Sequence, residues 1–328
     1  MPVLSLREAE ELVAKALRNC RTSEDNARLV AGALVRAEAE GLKSHGLLRV
    51  PIYAAQSKAG KVDGFAVPSV ERPRPALLAI DAKFGFAHPA MHKAAEMLPA
   101  LARECGIAAA GIRRSHHVGV AGHPVERLAE AGFVAMMFAN APAAMAPWGG
   151  TRAVFGTDPV AFACPLPDAP PIVVDLSLSK VARGHILTAI QKGEDIPEGW
   201  ALDISGKPTT NAKAALAGTM VPLGDAKGTA LALMVELLAA GLTGANFASE
   251  ASSFLDAEGP PPGTGQLLIA INPAPLGGGL ARFAAMARSI EEQKGARLPG
   301  VRRLSARKKA ETEGLTISPA LLAEIQAL

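Results

Sequence analysis

The stretch ALLAIDAKFGFAHPAMHKAAEMLPALARECGIAAAGI, residues 76–112, decides the fold class. Its two ends, 76–81 and 107–112, are short apolar runs typical of buried strands, and the pattern near 88–103 predicts a helix between them. Four similar runs follow, at 133–140, 160–165, 172–175 and 266–271. Further helices are predicted near 122–131, 178–191, 229–241 and 279–294. This alternation predicts an α/β core in which helices cover a sheet.

The residues on either side of this core have a helical pattern. Ser5 is placed to cap a helix that runs to about Asn19, and Ser23 to cap another that ends near Gly41. A third helix is predicted near Leu47, with Pro51 in its first turn. EGPPPGTG (258–265) predicts a loop, and the basic tail after it predicts a helix. We expect a helical lobe over 1–75, joined by 286–328, and an α/β core over 76–285.

The composition excludes several classes of protein. The 328 residues are 49% hydrophobic and 20% charged, which argues against disorder. The net charge of +3, from 34 basic and 31 acidic residues, is too small to predict a nucleic-acid partner. Prolines and Asn140 interrupt the apolar stretch 131–150, and Glu236 interrupts 229–248, so no membrane span is predicted. Three scattered cysteines outside any CxxC pattern favour a reducing compartment, and we expect the protein in the cytoplasm.

The hexapeptide SHGLLR (44–49) is the first candidate for chemistry. His45 is suited to exchanging a proton near neutral pH, and Ser44 can hydrogen-bond its ring or the substrate. Arg49 offers a planar fork that matches a carboxylate. Taken alone, the hexapeptide more often represents a capping serine, a loop histidine and a solvated arginine.

A second candidate is RRSHHVGVAGHPVERLAEAG (113–132), in which a strand ends at Ser-His-His and glycines lead into a helix. Ligands bind at such strand ends in α/β proteins. His116, His117 and His123, with Glu126 nearby, make zinc the alternative. Because the segment lacks HExxH spacing and a cysteine partner, we predict no metal site.

Four further segments are candidates for ligand contacts. Two glycine-containing turns flank a short strand within 147–165, where backbone N–H groups can approach a phosphate or carboxylate, and Lys227 stands between glycines at a helix start that favours an anion. Asp175 ends an apolar strand before Ser177 and Ser179, where its carboxylate can orient a histidine or bind a ribose hydroxyl. Ordinary turns and a helix cap at Ser177 or Ser179 are the structural alternatives. The basic run 302–309 fits a solvated face or a pocket for a 2′-phosphate. The sequence contains neither G-x-G-x-x-G after a strand nor G-x-x-x-x-G-K-[ST], so any dinucleotide would bind without the Rossmann fingerprint.

Together these blocks resemble the type-2 malate/L-lactate dehydrogenases, a family that includes ureidoglycolate dehydrogenase and the Δ1-piperideine-2-carboxylate/Δ1-pyrroline-2-carboxylate (ketimine) reductases. The resemblance covers nearly the whole chain, in order, through SHGLLRVP, SHHVGVAGH, APWGGTRAVFGTDPVAFACP, VVDLSLSKVARG, IPEGWALDISGKPTT, GDAKGTALALMVELLAAGLTGA and LPGVRR. It implies an NAD(P)-dependent oxidoreductase with a non-Rossmann cofactor-binding sheet core, a helical lobe built from both chain ends, and a homodimer with sites near the subunit interface.

The resemblance also implies roles for individual residues. The proton donor falls on His45 with Ser44 beside it, and the substrate carboxylate on Arg49 with Thr157. Asp175 is expected to orient His45. The cofactor contacts fall on His117, Val118, Gly119, Asp175, Leu176, Ser177, Lys227, Arg302 and Arg303. The chain departs from the family pattern at Asp158, where the family has Asn, and in its GDAKG and PGVRR variants.

SHH, DLSLSKVARG and PTTNAKAALAGTM are most similar to the ketimine reductases. The resemblance therefore implies reduction of Δ1-pyrroline-2-carboxylate or Δ1-piperideine-2-carboxylate to L-proline or L-pipecolate, with NADPH or, second, NADH. The alternative within the family is a malate/L-lactate-type 2-hydroxy acid dehydrogenase. Outside it, a zinc hydrolase and a non-catalytic binding protein are the competing hypotheses.

Overall fold

The computed structural model describes the backbone of residues 1–328 and every side chain except that of Gln191. In this part of the chain the strands are β1 (Val3–Leu4), β2 (Ser69–Arg74), β3 (Leu77–Asp81), β4 (Ile107–Ser115), β5 (Val134–Ala139), β6 (Val160–Leu166), β7 (Ala169–Leu176), β8 (Ala201–Leu202), β9 (Pro208–Thr209), β10 (Thr219–Met220), β11 (Thr264–Ile271) and β12 (Leu315–Thr316). The helices are α1 (Leu6–Asn19), α2 (Glu24–Ala39), α3 (Val50–Ala59), α4 (Ala87–Cys105), α5 (Gly122–Glu130), α6 (Arg183–Lys192), α7 (Ala212–Ala217), α8 (Ala226–Glu236), α9 (Leu280–Glu291), α10 (Val301–Glu313) and α11 (Pro319–Gln326). Short 3₁₀ turns lie at Lys43–His45, Leu47–Arg49 and Ala274–Leu276, and a π-helical turn at Leu237–Gly241.

A seven-stranded mixed sheet in the order β2-β3-β4-β11-β5-β6-β7 forms the centre of the molecule. β3 and β4 run parallel, and the other neighbouring strands pair antiparallel. Alternate residues of β11 supply the two faces: Leu268 lies in the core beneath α4 and α5, whereas Leu267 lies in the core beneath α8. This period-two burial on both faces explains why the strands are continuous apolar runs. The predicted α/β class is confirmed.

A separate core is shared by residues from both ends of the chain. It joins Leu17 of α1 and Leu34 of α2 with Tyr53, Leu315 and Ile325. β1 pairs antiparallel with β12, so the two chain ends also share backbone hydrogen bonds. The loop that carries His45 leaves α2 at the edge of this helical core. The boundaries at residues 75 and 285 stay a prediction.

The predicted strands and most predicted helices are confirmed to within a few residues. Ser5 and Glu8 form a capping box on α1, and Ser23 caps α2 through Asn26 N–H. The predicted loop 258–265 is wrong at its end, because β11 already begins at Thr264. β2, the small β8–β10 sheet, α7 and α11 were not predicted.

The helix predicted over 178–191 is wrong in its first turn. Residues 178–182 form bends with an isolated β-bridge at Ser179, and α6 starts at Arg183, with no side-chain cap from Ser177 or Ser179. Leu178 N–H donates to Thr157 O at 2.8 Å, and Lys180 N–H donates to Val221 O at 2.8 Å. These tertiary hydrogen bonds outweigh local helix propensity.

The two apolar stretches at 131–150 and 229–248 belong to this globular architecture. The first forms β5 and the loop after it, and the second forms α8 and the π-helical turn. Across the described residues, no helix combines the length and the apolar character that crossing a bilayer requires.

Candidate active site

The loop after α2 positions the SHGLLR hexapeptide. Gly41 turns the chain with φ +78°, and the two 3₁₀ turns meet at Gly46. A Cβ on Gly46 would lie 2.4 Å from Glu38 Oε2, so only glycine fits there. Glu38 Oε2 also accepts the Leu47 N–H at 3.0 Å. The glycine after the histidine therefore fixes the loop against α2.

His45 sits partly buried in this loop, with Ser44 Oγ 3.0 Å from its Nδ1. Burial, followed by the charge of Arg49 and the neighbouring His123, lowers the pKa of His45 to about 4. The imidazole is consequently neutral at pH 7 in the free protein. An anion bound beside it would favour its protonated form.

Arg49 is partly buried four residues further on. Its Nε donates to Ser44 O at 2.7 Å, and its Nη1 makes a long contact of 3.5 Å with Phe254 O. No ion pair joins Arg49 to an acidic side chain among the described residues. Burial lowers its pKa, which marks a desolvated cation. The remaining N–H groups of its fork are available to a carboxylate.

His45 adjoins an aromatic cluster through His117. Its ring stacks on that of His117, with centroids 5.5 Å apart and planes at 28°. Tyr53, which is fully buried, places its hydroxyl 2.6 Å from His117 Nδ1, and burial raises the pKa of that hydroxyl. The Phe254 ring lies 5.1 Å from the His117 ring. His117, predicted as a cofactor contact, thus lies directly against the predicted proton donor.

Of the three histidines of the zinc alternative, His116 and His117 pack against the same two rings, those of Tyr53 and Phe254, whereas His123 pairs with Glu40. His116 is buried among the rings of Tyr53, Phe86 and Phe254, whereas His123 Nε2 lies 3.0 Å from Glu40 Oε2. Within the described residues, no group of three or more His, Cys, Asp or Glu side chains is placed to hold a metal ion.

A second group of predicted residues meets where α5 begins. Gly122 N–H donates to Asp175 Oδ2 at 2.8 Å, and Arg303 Nη1 lies 3.8 Å from the same oxygen. Burial raises the pKa of Asp175 despite the nearby arginine. Val118 and Gly119 form the loop before α5, and Gly119 adopts φ +71°. Asp175 was expected to orient His45, but among the described residues its partners are Gly122 and Arg303, and Ser44 occupies the His45 ring nitrogen.

An acidic cluster that sequence reasoning missed lies between the two groups. Although burial alone would raise it, the hydrogen bond from His123 and the nearby arginines lower the pKa of Glu40 to about 2. Glu40 also contacts Arg36 at 3.1 Å, Arg303 at 3.5 Å and Arg307 at 3.2 Å. These partners are up to 267 residues away, so no local pattern could reveal them.

The other predicted residues differ in how far they are exposed to solvent. Thr157 and Ser177 are partly buried, and the carbonyl of Thr157 is engaged by Leu178 N–H. Leu176 is 41% exposed. Lys227 and Arg302 lie in the first turns of α8 and α10; both are exposed and form no ion pair in the described part of the chain.

Arg183 was not among the predicted site residues. It begins α6 and is partly buried, and burial lowers its pKa. It has no acidic partner within the described chain. A Cβ on its neighbour Gly184 would lie 3.4 Å from Ser44 Cβ, so this turn packs against the His45 loop. Arg183 lies within SKVARGH in the sequence, but a single arginine in such a segment does not indicate a ligand contact.

Known proteins match this chain over its whole length. The sequence profile described as malate/L-lactate dehydrogenase matches residues 4–326. A (2R)-3-sulfolactate dehydrogenase (NADP(+)) from Chromohalobacter salexigens is 51% identical over 326 residues, covering 99% of this chain and 97% of that protein. A Δ1-pyrroline-2-carboxylate/Δ1-piperideine-2-carboxylate reductase from Pseudomonas aeruginosa is 42% identical over 330 positions, covering 99% and 98%.

Among solved structures, the Δ1-piperideine-2-carboxylate reductase from Pseudomonas syringae matches with a TM-score of 0.95 and 37% identity. The match covers 100% of this chain and 99% of that chain. These matches cover the part of the chain that contains the ordered sequence blocks, the mixed sheet and the His45–Arg49 loop. The chain belongs to the malate/L-lactate dehydrogenase family of oxidoreductases.

Proposed function

We propose that this protein uses NADPH to reduce a small carboxylate whose neighbouring carbon is a C=N or C=O group. The observation that carries the proposal is the pairing of His45 with Arg49. Arg49 is a partly buried cation without an acidic partner among the described residues, and burial followed by the charge of Arg49 lowers the pKa of His45. A desolvated cation without a counter-ion is unfavourable, so a substrate carboxylate would supply the missing partner.

The contacts of this loop assign the proton transfer to one atom. Ser44 Oγ engages Nδ1 of His45, which leaves Nε2 to face the substrate. A carboxylate on Arg49 offsets the positive charge that disfavours His45 protonation. His45 can then take up a proton and pass it from Nε2 to the substrate nitrogen or oxygen. NADPH, when bound, supplies the hydride.

The residues at the start of α5 fit the cofactor. A Cβ on Gly122 would lie 2.8 Å from Arg303 Nη1 and 2.9 Å from Asp175 Oδ2, so glycine keeps this approach open. Arg303 Nη1 is buried and forms no hydrogen bond among the described atoms, while Glu40 Oε2 and Asp175 Oδ2 lie 3.5 and 3.8 Å from it, so an N–H group of Arg303 is available to an oxygen atom of the cofactor. The partial positive charge at the N-terminus of α5 acts in the same direction.

The flanking residues complete this assignment. Val118, Gly119, Leu176 and Ser177 would line the cofactor, and Asp175 would accept from a ribose hydroxyl. The exposed cations Lys227 and Arg302 are suited to its phosphates, which favours NADPH over NADH.

We also assign the cofactor to a sheet that is not a Rossmann fold. The mixed, mainly antiparallel strand order and the missing glycine fingerprint support this assignment. The lobe over 1–75 and 286–328 is our division of the chain; the shared core and the β1–β12 pair support it.

The first candidate substrates are the cyclic ketimines Δ1-pyrroline-2-carboxylate and Δ1-piperideine-2-carboxylate, with L-proline and L-pipecolate as products. The apolar, aromatic surroundings of Arg49 and His117, which include Phe254, favour ring methylenes beside a single carboxylate. The 42% identical reductase from P. aeruginosa supports the same choice.

The second candidate is a 2-hydroxy acid dehydrogenase reaction of the sulfolactate type. Arg183 is a second partly buried arginine without an acidic partner among the described residues, and its turn packs against Ser44. A second anionic group on the substrate would suit it. The 51% identical sulfolactate dehydrogenase supports this candidate.

The test is NADPH oxidation by the purified protein with both ketimines, 3-sulfopyruvate, pyruvate and oxaloacetate. The largest kcat/KM with a ketimine supports the first candidate, and the largest with 3-sulfopyruvate supports the second. Absence of turnover with all five, in protein that binds NADPH, would contradict both. NADH in place of NADPH tests the cofactor preference.

A homodimer and a cytoplasmic location complete the proposal. Large apolar side chains on α8 and the turn after it are exposed, namely Leu231, Leu233, Met234, Leu237 and Leu242. A second copy of the chain would cover this patch. The free thiol of exposed Cys105 suits a reducing compartment. Light scattering should give a dimer mass that Leu237→Glu reduces; a monomeric wild-type protein would contradict the dimer.

A further inference from the structure

The segment 251–262, called here the capping segment, crosses the site between the π-helical turn and β11. It carries no regular helix or strand, but three consecutive prolines, Pro260 to Pro262, restrict its backbone. Ser252 Oγ donates to Pro260 O at 2.6 Å and closes the segment on itself. The segment is therefore a built structure with a defined shape.

The helical core anchors this segment at Asp256. Gln56 Nε2 donates to Asp256 O at 2.8 Å, and Lys61 Nζ lies 3.0 Å from Asp256 Oδ1. The Lys61 side chain is 1% exposed, so its charge is withdrawn from water and depends on this partner. Two residues with little exposure thus hold the middle of the capping segment in place.

The anchor fixes Phe254 two residues earlier. Phe254 is 8% exposed, and its ring lies 5.2 Å from the ring of His116 and 5.1 Å from that of His117. Its carbonyl oxygen is the long contact of Arg49 Nη1. One residue therefore touches both the carboxylate-binding arginine and the histidine stacked on His45.

We infer that Phe254 is a specificity-determining residue that forms the wall against the part of the substrate beyond the reacting carbon. This inference rests on the proposed function. With the carboxylate on Arg49 and the reacting bond at His45, as proposed, the remaining substrate atoms would extend toward the rings of His117 and Phe254. The phenyl ring offers apolar contact to ring methylenes, and a short substrate such as pyruvate reaches less of it.

The test compares kcat/KM for Δ1-piperideine-2-carboxylate and for pyruvate in wild type, Phe254→Ala and Phe254→Leu. The alanine variant should lower the ratio of the two values by about tenfold or more, mainly through KM for the cyclic substrate. The leucine variant should restore part of this ratio. If the alanine variant does not fold, the ratio measured for Phe254→Leu is compared with wild type instead. Phe65→Ala, at a phenylalanine that is 58% exposed, is the matched control.

Lys61→Met tests the anchor, because it removes the buried charge while keeping the side chain's length. Like Phe254→Ala, it should lower the ratio of kcat/KM for Δ1-piperideine-2-carboxylate to kcat/KM for pyruvate, but by a smaller factor. NADPH affinity, measured by fluorescence, should stay within about twofold in Lys61→Met, since Lys61 contacts Asp256 and none of the proposed cofactor residues.

If the ratio of the two kcat/KM values stays unchanged in the Phe254 variants, as it does when both values fall equally, Phe254 does not determine specificity. Failure of the proposed function is a different result, because it would already appear as absent turnover in the wild-type protein. If the wild type reduces only 2-oxo acids, the same comparison uses pyruvate and 2-oxovalerate, which differ in the bulk that Phe254 is inferred to contact.

Discussion

Ser44 Oγ lies 3.0 Å from Nδ1 of His45, the residue that follows it in the chain. This contact engages one nitrogen of the imidazole, and in the proposed mechanism the other, Nε2, faces the substrate. In many enzymes a carboxylate has this orienting role, and a hydroxyl leaves the ring less biased toward the charged form. In the proposed mechanism, His45 is therefore an acid whose strength depends on the ligand bound beside it.

Replacing His45 by alanine should lower kcat on the order of a hundred- to ten-thousand-fold, because the proton donor is lost. NADPH affinity and thermal stability should remain near the wild-type values. Ser44→Ala should cause a smaller loss. His92→Ala, at a more exposed histidine on α4, is the control, and near-normal turnover by His45→Ala would refute the assignment.

Replacing Arg49 by lysine should raise KM for the carboxylate substrate by about ten- to a hundredfold. Lysine keeps the charge but cannot make two parallel hydrogen bonds while also contacting Ser44 O. Steady-state kinetics with saturating NADPH provides the measurement. A KM within twofold of wild type would show that the carboxylate binds elsewhere, with Arg183 as the next residue to replace.

The pH dependence of reduction should follow His45. Burial and Arg49 lower its pKa to about 4 in the free protein, so its protonated fraction falls as pH rises above that value. Since kcat/KM reports the free enzyme, its value with pyruvate should fall about tenfold per pH unit between pH 6 and 9. In the oxidation direction the neutral imidazole is required, so kcat/KM should be flat over this range. A plateau up to pH 7 in reduction would contradict the assignment.

A buried carboxyl pair predicts a second pH effect, on stability. Asp158 is fully buried near Glu236, which itself accepts from Ala248 N–H at 3.1 Å. Burial, and then the charge of Glu236, raise the pKa of Asp158 well above its usual value. A raised carboxyl pKa stabilises the fold at low pH, and this contribution is lost as pH rises through the folded-state pKa.

Asp158→Asn cannot ionise and offers an amide donor to Glu236. Between pH 6 and 9, the Tm of Asp158→Asn should therefore decline less than the Tm of wild type. At pH 9 the Tm of the variant should be higher, by about 2–4 °C for each kcal/mol by which its free energy of unfolding exceeds that of wild type. Asp168→Asn is the control, because Asp168 also has positive φ but is exposed. Parallel Tm profiles for Asp158→Asn and wild type would contradict the raised pKa of Asp158.

Local features of the structure were predictable from the sequence, and distant ones were not. The Ser5 capping box and the Ser44–His45–Arg49 group are each set within a few residues of the chain. The contact of Arg49 with Phe254 joins residues 205 positions apart, and that of His123 with Glu40 joins residues 83 apart. Such contacts depend on how the elements pack, which periodicity does not encode.

Two errors have specific causes. β2 contains Pro73 and exposed charged residues, as edge strands often do, so its pattern did not indicate a strand. The non-helical part of DLSLSKVARG before α6 is fixed by the carbonyl groups of Thr157 and Val221, which accept the N–H groups of Leu178 and Lys180. In both cases the neighbouring strand or loop decides the conformation.

The pairing of β1 with β12 sets the order in which a newly made chain can acquire its reactive loop. The helices that support His45 are translated first, yet Leu315 and Ile325, which complete their core, leave the ribosome more than 250 residues later. The sheet can therefore assemble during synthesis while the lobe beside it waits for the last helix. A nascent chain interrupted before that point would expose the inner faces of α1 and α2 to chaperones and proteases, which gives the cell a way to remove incomplete copies.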